Sequence, residues 1–407
     1  MTKKMYFPWS DNWWKEGASA WFCAGDYGAL FSVDIDKQTC RLVSHIPECP
    51  VINFRMYPYC IKHKTKVFCL PSKGSAVWCY DLITQRWEKI AIVNKERTFC
   101  EMLCYNDNAN EVWLREFETG RILGLNLQRR KIDKEYRISM DNCGLCGEHI
   151  MGQYVLVENE IYVANSNRIY RINPETDEIT TYILAEVKGE LFTICHDGLN
   201  FWLSGYCKEI YVWNAEKGII KIISQFPKNF GLYLYNDNNL VDSEAFFSNG
   251  LAFFGMSIPM KDNVWYIPAQ ANQILFIRKQ DYSIQTFDVG QYKYENHHSD
   301  EKKEYVAEYT VQYVKEDRYI GIYSFKTRVS FEIDTVELCV RNDEFLLDNQ
   351  TILQIGRKYC NERRLFKENN KNRDIEIFSM MLNCKNEESK NWDLSIGRSI
   401  YNKLKKV

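Results

Sequence analysis

The 407 residues carry 52 basic against 54 acidic side chains, a net charge of −2, so no overall field exists to gather nucleic acid or an anionic membrane. Hydrophobic residues at 45% and aromatic ones at 14% exclude a disordered chain and suffice for an extended sheet core. Apolar runs are broken by charges or Asn long before the roughly eighteen residues a membrane helix needs, and no membrane association is expected.

The first residues, Met1 to Trp14, hold Lys3, Lys4 and Asp11 where a signal peptide needs an unbroken apolar stretch. Fifteen cysteines, an odd number, on a chain read as having no export signal imply reduced thiols, and the expected location is the cytoplasm. Most of them fall inside strand-like runs, where cysteine acts as a small hydrophobe.

Along the chain an apolar run with an aromatic near its start recurs seven times, marked by Trp21, Phe68, Trp113, Tyr162, Trp202, Trp265 and Tyr319. A turn and a further strand follow each, ending at Asp34, Asp81, Asn126, Asn173, Asn214, Arg278 and Asp334. Asp and Asn suit that place because their side chains accept hydrogen bonds from amides just ahead, closing a hairpin into another strand. The spacings between these positions are 47, 45, 47 and 41 residues, then 64 and 56. A four-strand unit repeating at about 40 to 50 residues predicts an all-β fold, a seven-bladed β-propeller of four-stranded antiparallel blades. The two long spacings place insertions at about 224–249 and 292–303, as loops on a propeller face.

Blade two reads Val77-Trp78-Cys79-Tyr80-Asp81-Leu82-Ile83-Thr84-Gln85-Arg86-Trp87, which resembles the Tyr-Asp…Thr…Trp half of a kelch repeat. The Gly-Gly pair of the other half is missing, with only Gly74 nearby, and Trp87 is not repeated in other blades. The resemblance implies a propeller and nothing about activity. The general pattern also resembles streptogramin-lyase-like enzymes and sugar-binding propellers, which stay open as alternatives.

The propeller is expected over 1–348 and a partly helical C-terminal extension over 349–407. Within the extension Ile396, Ile400 and Leu404 recur at helical spacing behind Asp393 as cap, with lysines at the end. Such a helix would pack on the side of the propeller or dock a partner.

First strands line a propeller's channel, so residues leading into them ring one mouth. Eleven positions before the second strands of the second to seventh units stand Met56, Glu101, Ile150, Glu190, Phe253 and Glu308, with Arg55 and His149 one step earlier. Arg55, Glu101, His149, Glu190 and Glu308 are therefore the candidate ligand contacts. Clustered carboxylates serve as general acid and base, or hold a divalent cation through oxygen. No cofactor is otherwise implied. Cys143 and Cys146 form a C-x-x-C pair, with Cys100 and Cys104 one blade earlier; on an extended strand the latter lie about 13 Å apart, too far to share a zinc ion. His297 and His298, adjacent in a charged loop, read as solvated. Trp113, Trp202 and Trp265 read as blade core.

No phosphate cradle, zinc-protease or serine-nucleophile motif is present. The reading is a cytoplasmic binding or scaffold propeller, taking a small polar ligand at the channel mouth or a protein partner on a face. The alternative is a propeller enzyme of lyase or hydrolase type, using the mouth carboxylates on a glycan-like or peptide-like substrate.

Overall fold

The computed structural model describes residues 10, 12–25, 27–50, 56–92, 100–116, 119–138, 154–233, 240–241, 252–290, 294–295, 304–305, 309–324, 329–341 and 346–362. Seven antiparallel sheets, each with four strands in sequential order, occupy 14–45, 59–92, 100–137, 154–183, 191–223, 254–287 and 309–341. All seven aromatic-led runs are second strands, and all seven positions from Asp34 to Asp334 end third strands. Consecutive sheets share buried clusters, for example Phe68 and Leu70 of blade 2 with Leu114 and Leu123 of blade 3, and Trp265 and Phe276 of blade 6 with Ile322 and Phe331 of blade 7. Trp13, stacked on Phe22 at 5.3 Å, meets Tyr313 of blade 7 at 5.4 Å, and its amide donates to the Gln312 carbonyl. The ring closes at that seam, because each sheet has two apolar faces and only a closed ring covers them all. The chain is a seven-bladed β-propeller.

The hairpins that close each blade follow the chemistry read from the sequence. Asp34 accepts from the Lys37 amide at 3.0 Å, Asp81 from Ile83 and Thr84, and Asn126 from Arg129. Asn173, Asn214 and Asp334 do the same for the amides two and three residues on. In blade 6, where Arg278 stands at that place, Asp281 takes the Ser283 amide instead. Four residues after each of the seven positions the backbone turns left-handed, at Gln38, Gln85, Arg130, Asp177, Gly218, Tyr282 and Leu338. Only one of these is glycine.

Both insertions carry a short hairpin: Leu232–Tyr233 pairs with Leu240–Val241, and Tyr294–Glu295 with Glu304–Tyr305. The Tyr80 and Trp87 rings of the kelch-like half lie 4.9 Å apart, and the Trp87 indole N–H donates to Ser44 of blade 1. Trp87 thereby ties blade 2 to blade 1.

After blade 7 the chain crosses to blade 1. Leu346–Leu347 pairs in parallel with Thr39 and Cys40 on the outermost strand, making that sheet five-stranded. A helix, Asn349–Glu362, follows, with the Asp348 carboxylate capping it by accepting from the Thr351 amide at 2.6 Å. Its Ile352, Leu353, Ile355 and Tyr359 join Trp13, Phe22 and Phe31 in one buried cluster. The helix that sequence periodicity places at 393–404 lies outside the described residues. No helix among the described residues is long and apolar enough to cross a membrane.

Candidate functional site on the connection-bearing face

An even number of strands returns the chain to the face it started from. The connections between blades, including both insertions, therefore share one face, and each first strand begins there. Glu190 closes one such connection and immediately precedes Leu191, the first residue of the inner strand of blade 5. Its backbone is held from two sides. The Leu191 amide donates to Ser166 of blade 4 at 2.8 Å, and the Glu190 carbonyl accepts from Tyr206 of blade 5 at 3.0 Å. Opposite stands Gly205, where a β-carbon would fall 1.7 Å from the Glu190 carbonyl oxygen, so any side chain there would displace Glu190.

The strand bulges just after this point. Leu191 faces Gly205 and Thr193 faces Ser204, leaving Phe192 as the extra residue. Phe192 and Tyr206 meet edge to face at 6.2 Å and bury a small cluster with Ala252, which leads into blade 6. One residue on, the buried hydroxyls of Thr193 and Ser204 bond each other at 2.7 Å. The Glu190 carboxyl is half-buried, and that burial raises its pKa above the usual carboxylate value. Among the described residues it has no hydrogen-bonded or ion-paired partner.

Of the other residues read as mouth contacts, Glu101 is the second residue of the inner strand of blade 3, directly across from the buried Arg115. Arg55, His149 and Glu308 lie outside the described residues, as do Cys143, Cys146, His297 and His298. Near Glu101 the buried Glu116 is consumed by structure: it accepts from Thr119 at 2.9 Å and pairs with Arg121, whose fork also grips Glu135. Phe253, at the equivalent place in blade 6, packs into the seam with Phe254 and Tyr266.

The thiols behave as core. Cys100 packs toward blade 2 and Cys104 toward blade 4, because a bulge between them reverses the side-chain alternation. Burial pushes the Cys100 thiol up to about 12. Cys23, Cys60 and Cys69 share the seam of blades 1 and 2, where Cys60 donates to the Trp21 carbonyl at 3.2 Å. No three of His, Cys, Asp and Glu among the described residues converge on a metal position. Trp113, Trp202 and Trp265 are fully buried, as expected of blade core.

Sequence reasoning missed a concavity elsewhere on the ring. A cleft of about 410 Å³ opens between the connection that follows blade 1 and the last turns of the helix, lined by His45, Ile46, Pro47, Cys49, Pro50 and Lys358, with Glu48 and Glu362 beside them. Nothing in sequence spacing brings residue 45 to residue 358. Lys358 donates to the Cys49 carbonyl at 3.3 Å and lies 3.5 Å from Glu362. Burial, with the Lys358 charge, lowers the pKa of His45 to about 4.

No family model and no curated protein matches the sequence. Solved structures do resemble it. A chain of a mitotic checkpoint complex aligns with a TM-score of 0.51 at 8% identity, covering 79% of this chain and 86% of that one. The computationally designed Ika8 protein aligns with a TM-score of 0.53 at 8% identity, covering 84% and 91%. At such identity the likeness is one of fold alone.

Proposed function

We propose that this propeller is a binding protein of the cytoplasm, holding a polar ligand or a protein partner on its connection-bearing face, with Glu190 as a contact. The observation that carries the reading is the state of Glu190. A half-buried carboxylate has given up part of its hydration, so a cation or a donor stabilises it more than it would a fully solvated one. Here it has neither among the described residues, while its backbone is clamped by Ser166, Gly205 and Tyr206. A rigidly placed carboxylate with no protein partner, beside an aromatic pair, suits a donor brought by something else. Free thiols at all eleven described cysteines, ten of them buried, suit a reducing compartment.

The test is a thermal-shift panel of divalent metals, sugars, nucleotides and peptides on wild type and Glu190→Gln. A compound at a hundred times its dissociation constant adds about 2.7 kcal/mol of stability. A compound that stabilises wild type and not the variant supports the reading. A panel that stabilises both proteins equally, or neither, removes Glu190 from the binding surface.

A further inference from the structure

Proteins keep unpaired strand edges from associating by cover, charge or shortness. In this ring the edge of blade 1 is covered by Leu346 and Leu347. The outer strand of blade 2 carries three charges in seven residues and that of blade 3 five in seven, while blade 5 has Lys221 at mid-strand. The outer strands of blades 6 and 7 are four and three residues long. Blade 4 has none of these devices: Glu178–Ile183 runs for six residues with its single charge at the first. The groups it leaves over follow from the register. The Leu184 amide donates to the Asn167 carbonyl at 2.9 Å, and bonded and non-bonded pairs alternate from there along the antiparallel ladder. Ile183, Thr181 and Ile179, opposite Arg168, Tyr170 and Ile172, are the non-bonded ones, so their N–H and C=O groups point off the sheet. The same three side chains are exposed, Ile183 at 66%. In blade 1 the outward groups are taken, the Cys40 carbonyl accepting from Asp348 at 3.1 Å and the Leu42 amide donating to Thr351. Among the described residues no strand lies on the blade 4 edge.

We propose that the outer edge of blade 4 takes up an extended segment of a partner protein as a fifth strand, one with aliphatic or β-branched side chains at alternate positions and lysine or arginine at both ends. The pairing of blade 1 with Leu346 and Leu347 is the same kind of addition, made within the chain. The charges select the flanks. Glu175 and Glu178 at the start of the strand and Glu186 beyond its end are exposed, with no ion pair among the described residues. Lys134, Arg171 and Lys188 of the same region are already paired with Glu111, Glu160 and Glu209, and Arg168, one strand further in, offsets no more than one of the three carboxylates. These charges also disfavour a second copy. An antiparallel pairing about Thr181 would bring the acidic start of one strand, Glu175 to Glu178, against Glu186 of the other at both ends.

The deciding experiment follows the isoleucine methyl groups of the full-length protein by NMR during titration with a heptapeptide of alternating valine and threonine, with lysine at both ends. The expected result is a saturable shift of the Ile179 and Ile183 methyls, with the similarly exposed Ile83 of blade 2 unmoved, in wild type and equally in Glu190→Gln. The same peptide methylated at its internal backbone amides should not bind, and glutamate in place of both lysines should weaken it at least about threefold. Thr181→Pro removes one outward N–H without touching the ladder and should weaken the peptide at least about tenfold. Ile183→Lys, a change at an exposed side chain, should act in the same direction and serves where the proline variant folds poorly. Ile179 and Ile183 methyls unmoved at millimolar peptide overturn the proposal, and so does equal binding of the methylated peptide. Concentration-dependent dimerisation in sedimentation, lost in Ile183→Lys, would give the edge to a second copy and overturn it as well.

Discussion

The Thr351 hydroxyl accepts a hydrogen bond at 2.8 Å from the backbone amide of Leu42, across 309 residues of chain. The outer edge of a blade presents unpaired amides to solvent, a liability that proteins cover or charge. In blade 1 the edge is covered twice: Leu346 and Leu347 pair with Thr39 and Cys40, and Thr351 then takes the next exposed donor. Thr351 itself is only 2% exposed. Thr351→Val keeps the shape and deletes the acceptor, so it should cost about 1–3 kcal/mol, while Thr351→Ser should cost less. Urea unfolding of the two variants checks this, and a valine variant as stable as wild type would show that water reaches the Leu42 amide.

The left-handed turn position yields a gain rather than a loss. Leu338 has φ of 51° and is nearly half exposed, so its side chain pays a steric cost without returning much burial. Leu338→Gly should stabilise the protein by up to about 1 kcal/mol. The reverse change at the equivalent place of blade 5, Gly218→Leu, should destabilise it by a similar amount. Shifts of the same sign in both variants would mean that the turns of blades 5 and 7 are not equivalent.

His45 sets a pH window. Its folded pKa is about 4, against an ordinary value of 6.5, so the unfolded chain takes up the proton first as the medium is acidified. The stability tied to its neutral form is therefore complete above about pH 6.5 and is lost progressively as pH falls toward 4. His63 and His196 shift the same way, so the informative quantity is the difference between wild type and His45→Phe. That difference should change between pH 6.5 and 4 and stay level above that range. A difference independent of pH would mean that His45 titrates alike in folded and unfolded chains.

Thiol chemistry reports on the seams. Cys339, on the outer strand of blade 7, is exposed, whereas Cys23, Cys40, Cys60 and Cys69 are buried between blades or beneath the C-terminal segment. Native-state alkylation followed by peptide mapping should modify Cys339 well before those four. Equal labelling of Cys23 and Cys339 would mean that the seam of blades 1 and 2 opens readily.

The recurrence of Phe68, Trp113 and Trp265, each in the second strand of a four-strand unit, was enough to read the blades from sequence, because each blade is a local unit whose strands pair with their chain neighbours. The turn chemistry of Asp34, Asn126 and Asp334 was legible for the same reason: a side chain reaching an amide two or three residues on needs no tertiary context. The eleven-residue offset likewise placed Glu190 and Glu101 at the start of inner strands. What Glu190 experiences was not legible, since its burial depends on Gly205, Tyr206 and a bulge at Phe192 that reverses which side chains face the seam. The pairing of Leu346 with Thr39, the bond from Leu42 to Thr351 and the meeting of His45 with Lys358 belong wholly to the tertiary structure. They join the two ends of a ring, and a repeat read along the chain carries no signal for contacts made only when the ring closes.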